Sequence, residues 1–137
     1  VNWQILRWYF LSVFIIIADQ ATKSIATKNL FYGEHINIFK GLNLILVHNT
    51  GAAFSFLSDA GGWQRWLFLL ISLVVSIILV IWLHRLKENQ LVMSLSLTLI
   101  LGGAVGNLID RIFLGYVIDF IDLYYKYYHW PVVNLAD

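Results

Sequence analysis

The sequence predicts an α-helical integral membrane protein with three transmembrane helices, a small extracytoplasmic β-platform and an interfacial segment. Hydrophobic residues make up 60% of the 137 residues and charged residues 12%, with a mean hydropathy of +0.75. A soluble domain of this size cannot bury that much apolar surface. Three stretches are long enough to cross a hydrocarbon core of roughly 30 Å, which takes about 20 helical residues. Between the first two lies a connection whose apolar residues recur at period two.

The spans are expected at about residues 8–26, 66–86 and 91–112. Trp3, Trp8, Trp63, Trp66 and Trp82 fall near their ends, where an indole sits in the headgroup layer. The first carries Asp19, Gln20 and Lys23 at its far end, too polar for a cleaved signal peptide, so it is expected to be retained. Arg7 precedes the first span, and Arg85 and Lys87 join the second to the third. Basic residues in short loops favour the cytoplasm. The 27–64 connection is then external, although Lys28, Lys40 and Arg65 reduce the charge asymmetry. The third span runs outward and delivers Asn107, Asp110 and Arg111 to the external interface.

In the outer connection Ile36, Ile38, Leu42, Leu44 and Leu46 alternate with polar or small residues, which predicts short strands over residues 36–56. Asn49-Thr50-Gly51 is a turn signal, and residues 52–57 resume an apolar run that dips into the interface. Residues 113–133 are too interrupted for a span. Tyr124, Tyr125, Tyr127, Tyr128 and Trp130 make them read as a membrane-lying segment.

Several chemistries are disfavoured. Cysteine is absent, which removes disulfides, thiolate nucleophiles and cysteine metal sites. The net charge of +1 and the lack of a long basic cluster speak against nucleic acid as a partner. His35, His48, His84 and His129 have no spacing that pairs them on one helix face, so no metal site is expected. The serines of the spans lack a Lys or His placed as a base, and phosphate-cradling glycine motifs are missing.

Carboxylates remain. Asp110, Asp119, Asp122 and Asp137, half of the 8 acidic residues, lie in or beside strongly apolar sequence near the end of the chain. A charge at bilayer depth costs at least ~2.5 kcal/mol, so such groups are functional candidates. Taken singly, Asp119 reads equally as a solvated interfacial charge, and Asp137 as a helix cap or chain end. Gly102 and Gly106 share a helix face that admits a close neighbour. Asn107 and Asp110 continue the stripe from Gly103.

Five strings occur in the order found in one family: Asp19-Gln20 with Lys23; Asn49-Thr50-Gly51-Ala52-Ala53-Phe54-Ser55; Gly106-Asn107-Leu108-Ile109-Asp110-Arg111; Val117-Ile118-Asp119-Phe120; and Asn134-Leu135-Ala136-Asp137. The chain resembles the lipoprotein signal peptidases, or type II signal peptidases. The resemblance implies a single membrane peptidase domain over residues 1–137. It implies an aspartic endopeptidase that removes the signal peptide from bacterial diacylglyceryl-prolipoproteins just before the lipid-modified cysteine. It places the catalytic pair on Asp119 and Asp137, needs no cofactor or metal, and implies diacylated prolipoproteins, membrane lipid and globomycin-type inhibitors as partners. The expected location is the bacterial cytoplasmic (inner) membrane, multi-pass, with the active site facing the extracytoplasmic side.

The chemistry follows from physics. Two carboxylates on one water cannot both ionise cheaply, so they share a proton and one serves as general base while the other serves as general acid. Asp122 has no place in the matching strings; it is expected to be a solvated acid and is the rival to Asp119. Asp110 and Arg111 are expected to support the site, Arg111 keeping Asp110 ionised. Asn107 and Asn134 can donate to a catalytic carboxylate or accept from a substrate amide, and Asn49 is expected to clamp extended peptide. Asp19 and Lys23, four apart, are expected to neutralise one another. Family members carry a fourth span directly after the motif ending in Asp137, which would be a partner for the Gly102/Gly106 face; this sequence stops at that aspartate. The reading from another class is a non-enzymatic proton-relay or transporter subunit using the same carboxylates, although no inverted internal repeat supports transport.

Overall fold

The computed structural model describes residues 2–51 and 61–137. Helices α1 (Trp3–Asn29), α2 (Gln64–Arg85) and α3 (Leu91–Phe113) are each long and apolar enough to cross a membrane. The expected spans fall on these helices. α1 starts earlier than its apolar run because Asn2 caps it, the side-chain oxygen accepting from Gln4 N at 3.0 Å. α3 ends where Arg65, on the first turn of α2, donates to Arg111 O at 3.1 Å and Ile112 O at 3.0 Å. These are carbonyls left over at a helix end. Gly115, at φ 83°, then turns the chain into the sheet.

α3 packs against both other helices. A Cβ on Gly102 would lie 2.7 Å from Ile15 Cγ2, and one on Gly106 would lie 2.5 Å from Asp19 Oδ2. The Gly102/Gly106 face is therefore closed by α1, and a fourth span is not its partner. Small residues let two helices approach until polar side chains meet across the seam. Ser12 Oγ donates to Thr98 O at 3.0 Å there. On the other side, Leu79 and Leu83 of α2 pack with Leu97 and Leu101 of α3. Phe10, Phe14, Ile17, Ile71, Ile78 and Ile100 stay exposed, as side chains facing hydrocarbon should.

Strands β1 (His35–Phe39), β2 (Leu42–Asn49), β3 (Val117–Tyr125) and β4 (Tyr128–His129) form one antiparallel sheet in chain order. The strands expected from the alternating pattern are β1 and β2; residues 52–57, assigned to the platform and the apolar run, lie outside the described residues. Within residues 113–133, read from sequence only as an interfacial segment, residues 117–125 are a strand of this sheet. At its start it is paired with β2 on one edge and held by α1, Asp110 and Asn134, which buries the consecutive residues Val117, Ile118 and Asp119, so no alternation marks it in sequence. Leu44 pairs with Ile121 and Val47 with Asp119, so β2 spends Ile45 and Leu46 against Phe120, a bulge that resets the register beside Asp119. Ala26 and Leu30, at the end of α1, form a core with Leu46 and Ile118 of the sheet. The sheet is thereby seated on α1.

Candidate active site

The site assembles where α1, α3, the start of β3 and residues 134–137 converge. Lys23 is 1% exposed and Asp19 0%. The Lys23 ammonium donates to Asp19 Oδ2 at 2.8 Å, Asp110 Oδ2 at 2.9 Å and Asn107 Oδ1 at 3.0 Å. An ammonium has three N–H groups, and all three are used. Asp19 and Lys23 do pair as expected, but as part of a larger cluster. The cation in contact with Asp110 is Lys23 rather than its sequence neighbour Arg111, because successive helical residues point about 100° apart. Asp110 also accepts from Ile118 N at 3.1 Å, which ties the end of α3 to β3.

Arg111 turns the other way. Its guanidinium reaches Ser72 Oγ at 3.1 Å and Gly51 O at 3.3 Å and lies over the Phe68 ring. It is still close enough to Asp137, Asp110 and Asp119 to attract all three. Gln20, which sequence reasoning left without a role, donates to Gly106 O at 3.0 Å, Asp110 Oδ1 at 3.1 Å and Asp19 Oδ2 at 3.2 Å. The signal was its position beside Asp19, a second costly polar group in an apolar span.

Asp119, 1% exposed, sits on β3 opposite Val47. Asn134 Nδ2 donates to Asp119 Oδ1 at 2.7 Å, to Ile118 O and Asn107 Oδ1 at 3.2 Å each. Asn134 also builds the turn that carries Asp137: its Oδ1 accepts from Ala136 N at 2.8 Å, its O accepts from Asp137 N at 3.3 Å, and its N donates to Asp137 Oδ2 at 3.2 Å. Asn107 Nδ2 reaches Asp137 Oδ1 at 3.1 Å. One asparagine thus touches both aspartates, and a second ties Asp137 to Lys23. The turn is seated on α3, because a Cβ on Gly103 would collide with the Ala136 carbonyl.

Burial pushes the Asp119 carboxyl up, and the negative charge of Asp137 pushes the same way. Asn49, Asn134 and Lys23 pull it back, and it stands at about 7. The value places a carboxyl that can be protonated or ionised in the physiological range, the condition for general acid–base work. Asn49, buried at the end of β2, flanks Asp119, and its Oδ1 accepts from Gly51 N at 2.8 Å.

Asp122 does not belong to this cluster, and it is not a solvated acid. It is 2% exposed and accepts from His129 Nδ1 at 2.9 Å and Asn43 Nδ2 at 3.3 Å, with His35 Nδ1 3.9 Å away. Asn43 comes from β2 and His129 from β4, the strands on either side of β3, with His35 reaching over from β1, which sequence spacing did not reveal.

The family model for "Signal peptidase (SPase) II" matches residues 11–137. The chain belongs to the signal peptidase II family. It is a membrane peptidase by that membership, and a bacterial membrane protein by its relatives and its apolar helices. The lipoprotein signal peptidase of Acinetobacter baylyi is 52% identical over 132 residues, which is 96% of this chain and 74% of that protein. That of Shewanella baltica is 46% identical, covering 96% and 77%. A bacterial membrane enzyme structure obtained by the in meso method superposes with a TM-score of 0.85 at 33% identity, covering 96% of this chain and 78% of that one. A second such structure gives 0.78 at 32% identity, covering 96% and 83%. Every residue named as a site candidate from sequence, Asn49, Asn107, Asp110, Arg111, Asn134, Asp19, Lys23, Asp119 and Asp137, falls in or against the one polar cluster described above.

Proposed function

We propose that this chain is an aspartic endopeptidase that removes the signal peptide from diacylglyceryl-prolipoproteins just before the lipid-modified cysteine, with Asp119 and Asp137 as the catalytic pair. The observation that carries this is Asn134 holding both carboxyls at once, one of them buried and raised to about 7. Such a pair shares one proton: one member draws a proton from the attacking water while the other protonates the carbonyl oxygen. The chain needs no metal or covalent intermediate for this chemistry. Arg111 and Asn49 border the pair and bind substrate backbone; Asn107, Asp110, Asp19 and Lys23 hold it in place. Residues 1–137 act as one membrane peptidase domain in the cytoplasmic (inner) membrane of a bacterium, with the site on the extracytoplasmic side, and globomycin-type inhibitors bind there.

Substrate enters sideways from the bilayer. Each buried methylene of its acyl chains adds about 0.8 kcal/mol, so the diacyl cysteine anchors the scissile bond at the depth of the pair. The test is cleavage of lipidated and unlipidated precursor peptides by wild type, Asp119→Asn and Asp137→Asn. Both variants should be inserted and inactive, and wild type should cut the lipidated peptide far better. Full cleavage by either variant, or equal turnover of the two peptides, defeats the reading.

A further inference from the structure

We propose that Lys23 and Asn107 are positioning residues that fix the polarity of the dyad, so that Asp137 is the ionised general base and Asp119 Oδ2 carries the shared proton. The inference rests on the aspartic reading above and assigns the two roles that reading leaves open.

The donors around the pair are unequally shared. Asn107 could in principle present either end of its amide to Asp137. Lys23 decides, because an ammonium only donates and only Oδ1 can face it, at 3.0 Å. The turned amide would set N–H groups against N–H groups in a dry seam. Asn134 donates to the same Oδ1 at 3.2 Å. The Asn107 amino group is thereby forced onto Asp137 Oδ1 at 3.1 Å. Asn134 is fixed in the same manner, since its Oδ1 is taken by Ala136 N at 2.8 Å and its amino group must face Asp119 Oδ1.

The two aspartates are then unequal. Asp137 receives a donor on each oxygen, Asn107 Nδ2 on Oδ1 and Asn134 N on Oδ2, and donors to both oxygens favour the ionised form. Asp119 receives Asn134 on Oδ1 and is also engaged by the Asn49 side chain, but it is the more enclosed of the two, and its Oδ2 is buried and meets no donor at hydrogen-bond geometry among the described residues. A proton on that atom removes the charge from the more enclosed member. The other charges near the pair do not reverse this order. Arg111 attracts both carboxylates, and Lys23 also acts on Asp119 through space, as the weakest of its influences. Asp19 and Asp110 are held by Lys23 itself.

The steps balance. Asp137 takes a proton from water as its oxygen bonds to the scissile carbonyl carbon, and Asp119 gives its proton to the carbonyl oxygen, leaving a gem-diol. Collapse breaks the C–N bond. The amine leaves with the proton from Asp137, and one gem-diol hydroxyl returns a proton to Asp119 as the carboxylic acid forms.

The experiment is the pH profile of kcat/KM on a diacylated precursor peptide. Asn107→Ser removes the donor to Asp137 and leaves the Lys23 ion pairs in place. The acid limb of the pair's profile should move up by roughly one pH unit, the worth of one hydrogen bond to a charged group. The basic limb should stay. A shift of the basic limb with a fixed acid limb, or no shift, overturns the assignment. Lys23→Gln combined with Asp19→Asn leaves the net charge of the cluster unchanged, with Asp110 keeping Gln20 and Ile118 N as donors, and frees the Asn107 amide to turn. It should reproduce the acid-limb shift and add nothing when combined with Asn107→Ser. Shifts that add would show that Lys23 does not act through Asn107. If the charge-balanced pair fails to insert, Asn107→Asp decides. It keeps an acceptor for Lys23 but offers Asp137 no donor, so its acid limb must rise at least as far as in Asn107→Ser, and an unmoved limb overturns the proposal. Asp119→Asn runs beside these. Full activity there defeats the dyad, whereas an inactive Asp119→Asn with an unmoved acid limb in Asn107→Ser defeats only the polarity.

Discussion

Replacing Asp119 by asparagine should trade activity for stability, and the trade should depend on pH. The carboxyl rises from 3.8 to about 7 on folding, and at 1.36 kcal/mol per pH unit that is about 4 kcal/mol. A raised carboxyl stabilises the fold in its protonated form. The contribution is fully present below about pH 4, is lost progressively as pH rises because the unfolded chain releases its proton first, and is gone above about pH 7. Because Asp119 is 1% exposed, solvent screening does little to reduce it. The amide of Asp119→Asn has no proton to lose, accepts from Asn134 through its own oxygen, and escapes this decline. Unfolding of wild type and Asp119→Asn in mixed micelles, followed by tryptophan fluorescence between about pH 4 and pH 8, measures the difference. The advantage of the variant over wild type should grow by up to about 4 kcal/mol across that range, while cleavage falls by about 10²–10⁴-fold. Stability curves that run parallel with pH would show that Asp119 does not titrate as the geometry requires.

Asp122→Asn should retain most cleavage and lose about 1–3 kcal/mol of stability, because a buried acceptor for His129 and Asn43 is weakened. A well-folded but inactive Asp122→Asn would move the catalytic role there. Gly103→Ala should lower kcat by about 10²-fold with little change in KM or melting, since the new methyl displaces the Ala136 carbonyl and with it Asp137. Unchanged kcat would mean the turn is not positioned by α3. Because the chain has no cysteine, Lys40→Cys and Lys87→Cys each give a single labelling site, and an impermeant thiol reagent should reach them from opposite sides of the membrane. Labelling from the same side would overturn the topology.

The spans were legible in the sequence because a bilayer demands long apolar runs, and β1 and β2 because Ile36 to Leu46 alternate. β3 was not. Val117–Tyr125 buries Asp119 and Asp122 beside Val117 and Ile118 while leaving Leu123 and Tyr125 exposed, so neither period nor composition separates it from an interfacial segment. Likewise the pairing of Lys23 with Asp110, far apart in the chain, was invisible. Spacing on one helix pointed to Asp19 alone, whereas the contact with Asp110 exists because Gly106 lets α3 lie against Asp19. The roles of Asp119 and Asp137 came from the strings around them. What the strings could not convey is which oxygen has a donor, since this depends on how Asn107 and Asn134 are turned by their other partners.

With 27 residues at 1.5 Å each, α1 is about 40 Å long, roughly 10 Å more than the hydrocarbon it crosses. Its last turns are a post on which the sheet rests, through Ala26 and Leu30. A bilayer of different thickness is met by tilting a helix rather than stretching it. The sheet must follow this post when it tilts, and α3 must follow too, because Lys23 of α1 holds Asp110 and Asp110 holds Ile118 N of β3. Asp119, Asn107 and Arg111 therefore travel as one body, and the polar clasp between α1, α3 and β3 is what keeps the site's distances independent of how the long helix leans.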